Sequence, residues 1–142
     1  MNSGSVGSAH WSFWVIVIFM LIWNLMGCIN FLMQMNPEMI ASYGVNEQAI
    51  ITNRPVWATV AFVIAVFGGA TGCVLLLSKK YAALYVFTLS LAGVAVTQAH
   101  TLTLGLSFGL GETIGIIFMP VVVAAFLIWY AKYVASKGWI NT

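Results

Sequence analysis

The eight side chains of this chain that are charged at neutral pH, five basic and three acidic, fall in short clusters separated by four almost wholly apolar stretches. Glu38, Glu47 and Arg54 form one cluster, Lys79 and Lys80 a second, Glu112 stands alone, and Lys132 and Lys137 lie near the C-terminus. A hydrocarbon core of about 30 Å is crossed by roughly 20 helical residues, and each uncharged gap reaches that length. In lipid every backbone amide and carbonyl must be satisfied within the protein, which favours helices for apolar runs this long. The pattern predicts an all-α fold, an integral membrane four-helix bundle with antiparallel up-down spans over about residues 11–35, 55–77, 81–104 and 112–133.

Composition agrees with this reading. Hydrophobic residues make up 62% of the chain and charged residues 6%, where soluble domains are about a quarter charged. No segment outside the spans is long or mixed enough to bury a core of its own, so residues 1–142 read as one membrane domain without a separate catalytic one. A net charge of +2, with basic residues beside span ends and not in a stripe, gives no footprint for nucleic acid. The first apolar run is longer than a signal peptide's core, with no Lys or Arg before it and no small-residue cleavage pattern after it. It is therefore expected to be kept as a span. Asn2 and the terminal WINT carry no myristoylation or prenylation motif.

Trp11 and Trp14 open the first span as interfacial anchors. Asn36 then reads as an N-cap and Pro37 as the first residue of a short interfacial helix over about residues 37–43, ended by Gly44. Residues 45–53 follow, with Met39, Ile40, Ile50 and Ile51 dipping this connector into the interface. Pro55 suits the first turn of span two. Lys79 and Lys80 leave only a tight turn before span three, which makes spans two and three a hairpin. A stretch with Gly105, Gly109 and Gly111 leads to span four, which Pro120 is expected to kink while neighbouring helices replace the lost backbone bond. Four spans put the N-terminus, the Lys79–Lys80 turn and the C-terminus on one side. That side collects four of the five basic residues and should be the cytoplasm.

Depth along the spans, at about 1.5 Å per residue, limits which polar groups can act together. His10 begins span one whereas His100 lies about 28 Å along span three, so the pair cannot supply both axial ligands of one haem within a monomer. Cys28 and Cys73 fall in opposite leaflets, and no intrachain disulfide is expected. The chain has no Asp, and its three Glu residues are scattered without a His spaced to join them. No metal site, cofactor site, triad or paired-carboxylate site is therefore expected, and enzyme activity is not.

Uncharged polar groups crowd the outer ends of the spans. Asn30 and Gln34 stand on span one, Thr97, Gln98, His100, Thr101 and Thr103 on span three, with Glu112 opening span four and Arg54 preceding span two. The inner half holds Ser12, Thr71, Thr88 and Ser90 as isolated hydroxyls that can bond their own helix backbone. One use of the outer layer is interhelical bonding at about 0.6 kcal/mol per contact. The other is an outward-opening ligand pocket lined by His100, Asn30, Gln34, Thr97, Thr101 and Glu112, with Glu112 or Asn30 orienting the imidazole, because ionisable groups at membrane depth usually face an interior or a cavity. A helical wheel groups Gly93, Thr97, His100 and Thr101 and sends Gln98 elsewhere. Span two adds a small-residue stripe, Ala61, Ala65, Gly69 and Cys73, with Gly68 and Gly72 on an adjoining face. Such faces allow close packing inside the monomer or, with two available, in a homo-oligomer.

The stretch Trp23-Asn24-Leu25-Met26-Gly27, the run from Pro55-Val56-Trp57-Ala58-Thr59 through Ala65-Val66-Phe67-Gly68-Gly69 to Gly72-Cys73, and Gln98-Ala99-His100-Thr101 resemble small uncharacterised bacterial four-span membrane proteins. Some of those carry an automatic label of sugar transporter. Span one followed by Asn36-Pro37-Glu38 and Gly44 carries a fainter likeness to DoxX-like membrane proteins, without a redox-active cysteine pair. The resemblance implies a bacterial inner-membrane protein and brings no activity with it. The expected role is a non-catalytic binding or accessory subunit, with the lipid bilayer and a partner membrane protein or second copy as its partners. The competing classes are a small-solute transporter working as an oligomer, and a haem or quinone subunit that uses His100 with a second ligand from another chain. Four short helices enclose little volume, and the uncharged stretch between Lys80 and Glu112 offers no midplane coupling carboxylate, which weighs against transport.

Overall fold

Long apolar runs free of charge become helices here, and the polar residues at their ends set the bounds. A computed structural model describes residues 8–141; Asn2 and Thr142 lie outside the described residues. The helices are α1 (Trp11–Met33), α2 (Pro37–Ile40), α3 (Val45–Thr52), α4 (Val56–Leu77), α5 (Ala82–Thr103) and α6 (Leu110–Ser136). Within α6, residues Thr113–Phe118 form a π-helical turn between α-helical segments. Four of these helices, α1, α4, α5 and α6, are long and apolar enough to cross a membrane. The chain is thus an α-helical membrane protein with four candidate spans.

The helix ends follow from capping chemistry. His10 caps α1, its Nδ1 accepting from the Ser12 amide at 3.2 Å. Asn36 caps α2, its Oδ1 accepting from the Glu38 amide at 3.0 Å, with Pro37 in the first position. At the end of α4, Lys79 adopts a left-handed conformation with φ 60°, while the Lys79 amide donates to Leu76 and the Lys80 amide to Leu75. Gly138, at φ 72°, repeats the arrangement after α6, with the Gly138 amide bonded to Ala135 and the Trp139 amide to Val134. Both are Schellman closures, which satisfy carbonyls that a helix end leaves open.

The packing order is α1 on α4, α4 on α5 and α5 on α6, whereas α1 and α6 make little close approach. Small residues permit the tight pairs. Gly72 lies against the Phe87 ring, Gly68 against Ser90, and a Cβ on Gly93 would sit 2.6 Å from the Ala61 carbonyl oxygen. On the other side of α4, Gly69 lies against Asn24, Cys28 Sγ stands 3.5 Å from the Val66 carbonyl, and Phe31 meets Phe62 edge-on. Contacts therefore advance in opposite directions along α1 and α4 and along α4 and α5. Both small faces of α4 are filled inside the monomer. The Cys28 and Cys73 thiols are free.

The two ends of the bundle differ. At one end the start of α1, the Lys79–Lys80 turn and the C-terminal segment converge: Lys79 Nζ lies 5.4 Å from the Trp14 ring, Phe13 packs on Tyr130 and Trp139, and the Asn141 amide donates to the Lys79 carbonyl at 2.8 Å. The main apolar core, including Phe13, Leu76, Phe87, Leu127 and Tyr130, fills this half. The connector α2–α3 and the α5–α6 loop meet at the opposite end, where Asn46 Nδ2 donates to the Ser107 carbonyl at 2.8 Å. They are called the basic end and the connector end below.

Candidate ligand cavity at the connector end

Above the apolar core the four spans separate around a cavity of about 540 Å³. Its walls are mostly apolar side chains such as Met26, Phe62, Val66, Val94, Ile116 and Leu127, and α3 contributes Glu47, Ile50 and Ile51. At one end of it Asn30 and Gln34 of α1 meet Arg54, the residue before the Pro55 cap of α4, and Asn24, Ser90, Thr97, Gln98 and Thr101 are set along the rest of the wall. On α1 the cavity runs from Gln34 to Asn24, about 15 Å at the helical rise, or half of a hydrocarbon core. α1 and α6 both line the cavity and make few close contacts with each other.

Arg54 dominates the electrostatics of this corner. Its Nη1 donates to Gln34 Oε1 at 2.8 Å, and its guanidinium carbon lies 4.6 Å from the centre of the Phe62 ring. Its Nε is buried and has no hydrogen-bond partner among the described residues. Burial lowers the Arg54 pKa from its usual range. Tyr43 donates its phenol proton to Asn30 Oδ1 and so ties the connector to α1. Burial raises the Tyr43 pKa, with the Glu47 charge adding to the rise and the Gln34 side chain opposing it. Asn46 ties the other end of the connector, donating to both Glu112 oxygens at 3.1 and 3.2 Å.

Of the six residues expected to line a pocket, Asn30, Gln34, Thr97 and Thr101 lie on the cavity wall. His100 and Glu112 do not, and the expectation that an oriented imidazole lines it is corrected. His100 is buried against α4, with Nε2 3.3 Å from the Asn53 carbonyl and its ring edge-on to Trp57 at 5.7 Å. The helical wheel grouped His100 with Gly93 correctly in angle, but that face packs on α4. Since α5 sits between α4 and α6, both its faces are covered, and a wheel cannot say which of them borders open space. Glu112 is occupied at the start of α6, where it accepts from the Gly109 amide at 3.3 Å as well as from Asn46.

One further expectation changes. Ser90 was placed among hydroxyls bonding their own helix, yet its Oγ donates across to the Ala65 carbonyl of α4 at 2.6 Å. Gln98 diverges from His100 as the wheel implied, and it reaches α6, donating Nε2 to the Ile116 carbonyl at 2.9 Å. Pro120 has no amide to offer the carbonyl four residues earlier, which is Ile116, so the proline itself was the signal that a donor was needed there. Arg54, Asn24 and Glu47 also line the cavity and were not among the residues expected to line it, although Arg54 was placed in the same polar layer. For Arg54 the signal was present, as a basic residue alone at the end of the bundle away from the lysines.

No protein-family model, curated protein or solved structure matches this chain. Among the described residues no three His, Cys, Asp or Glu side chains gather in a way that could hold a metal ion. The cavity brings together an apolar volume, the Asn30 and Gln34 carboxamides and a partly buried guanidinium.

Proposed function

We propose that the chain is a non-catalytic binding subunit of the bacterial inner membrane, which takes a molecule from the bilayer into the cavity between its four spans. The observation that carries this reading is the cavity itself. At about 540 Å³ it falls within the range of small-molecule sites, roughly 300–1,000 Å³, and all four spanning helices contribute to its wall. The packed core between the cavity and the basic end supports binding over passage through the monomer. The basic end faces the cytoplasm in this reading, since Lys79, Lys80, Lys132 and Lys137 follow that side and Arg54 alone follows the other.

Gly115 provides the test. It lies on the cavity wall, and a Cβ there would meet nothing within 4 Å, so Gly115→Phe adds bulk at the cavity from a position where the first side-chain carbon has room. Protein purified from native membranes in mild detergent should carry a small molecule that organic extraction and mass spectrometry detect, and Gly115→Phe should carry much less. Parent protein that yields nothing beyond detergent and bulk lipid would overturn the reading. An absorption spectrum of the same sample tests the haem class at no extra cost.

A further inference from the structure

We infer that the ligand is an anionic amphiphile, a carboxylate or phosphate head on an apolar tail, held with its head at Arg54 and its tail toward Leu127. The inference rests on the cavity being a binding site and adds the chemistry of what binds. Three observations point the same way. First, the guanidinium is half withdrawn from water: Nη1 is bonded to a neutral carboxamide, one face covers Phe62, and the buried Nε–H has no partner among the described residues. The side-chain partner of this cation is a neutral carboxamide, and the planar fork of Arg suits carboxylate and phosphate oxygens better than any neutral group.

Second, the charged groups of the cavity wall, Arg54 and Glu47, stand at one end of it. Below them the wall is largely apolar through Phe62, Val94 and Leu127 over a depth of about one leaflet, and the polar side chains set in it, Asn24, Ser90 and Gln98, direct their donors to the Met20, Ala65 and Ile116 carbonyls. A small free anion would leave that volume empty or wet, whereas a lipid-like molecule fills it in its ordinary orientation, with the head at the interface and the tail toward the midplane. Third, α1 and α6 meet at the basic end, where Phe13 packs on Tyr130, but make few close contacts elsewhere, so the gap between them beside the cavity is the route by which a tail would enter from the bilayer. Glu47 stands on the same wall and is the charge that opposes an anion there. It makes no hydrogen bond to Arg54, whose side-chain partner is Gln34.

Native mass spectrometry of the full chain in a neutral detergent, titrated with hexadecanoate, hexadecyl phosphate, hexadecanol, hexadecylammonium and inorganic phosphate, tests this. At least one anionic amphiphile should bind roughly tenfold or more tightly than hexadecanol, the scale of a charge-assisted hydrogen bond, and Arg54→Gln should erase the difference. Arg54→Lys should restore part of it, and Glu47→Gln should strengthen anion binding. The preference between hexadecanoate and hexadecyl phosphate identifies the head as carboxylate or phosphate. Helicity and monodispersity of each variant are measured alongside, and should Arg54→Gln not fold, the Glu47→Gln and Arg54→Lys titrations decide. Equal binding of hexadecanol or tighter binding of hexadecylammonium, with both reduced by Gly115→Phe, sinks the anion inference and leaves the cavity reading standing. Inorganic phosphate binding as tightly as hexadecyl phosphate sinks the amphiphile. No amphiphile bound by the parent, or binding indifferent to Gly115→Phe, removes both readings together.

Discussion

Asn24 shows how a single polar side chain is accommodated deep in a span. It is buried in the middle of α1, its Nδ2 donates to the Met20 carbonyl at 2.8 Å, and Cys73 Sγ lies 4.0 Å away. The room for it comes from Gly69, where an added Cβ would overlap the carboxamide. Gly69→Ala is therefore expected to lower stability by about 1–3 kcal/mol, the usual cost of overpacking, seen as a lower melting temperature in detergent. Adding Asn24→Ala removes the overlap, so the double variant should melt close to Asn24→Ala alone; additive losses would show that the two residues do not oppose each other. Gly69 was legible in the sequence because small residues on a span announce close packing. Its partner was not, since nothing in the spacing of α1 says which of its residues meets α4. His100 failed for the same reason: its burial was readable, its neighbour was not. Arg54 was read as one charge in a polar layer because its isolation from acceptors exists only once Gln34 and Phe62 are folded around it.

At the scale of the helix, α6 carries its own defect and α5 supplies the repair. Pro120 removes an amide from the spine of α6, the π-helical turn Thr113–Phe118 precedes it, and Gln98 donates to the carbonyl left without its usual partner. Replacing Gln98 by Leu should destabilise the bundle by about 1–2 kcal/mol, because an orphaned carbonyl at membrane depth has no water to turn to. In a Pro120→Ala background, where the helix can close its own bond, the same Gln98→Leu change should cost distinctly less. Equal losses in both backgrounds, measured by thermal melts, would mean that Gln98 serves packing alone. The sequence established that a donor must come from a neighbouring helix. It did not establish that the donor is Gln98, because the register of α5 against α6 is set by packing and not by any local turn.

Across the whole molecule the helix content and the four candidate spans were legible because lipid leaves few solutions: apolar runs of this length must satisfy their backbones internally. The cavity was legible only in part: a pocket with Asn30, Gln34, Thr97 and Thr101 was expected, but its apolar depth was not, since that arises from the order of helices around the bundle, in which α1 and α6 make few close contacts. That order gives the molecule a packed half and an open half, and the proposed sidedness assigns them to the two leaflets. The start of α1, the Lys79–Lys80 turn and the C-terminal segment are bound together at the packed end, so they must lie on one side of the membrane whichever side it is. Reporters fused after Thr142 and inserted at Lys80 should therefore agree with each other, and the excess of lysines there makes both cytoplasmic. A reporter at Gly111, which has open space around it, should read periplasmic. Periplasmic activity at both Thr142 and Lys80 would invert the assignment and place the Arg54 corner in the cytoplasmic leaflet. Disagreement between those two sites would contradict the packing itself. Neutralising Lys79 and Lys80 to Gln leaves two basic residues at that end against one at the other, so the reporters should then register a mixed population, the expected sign that these charges set the orientation.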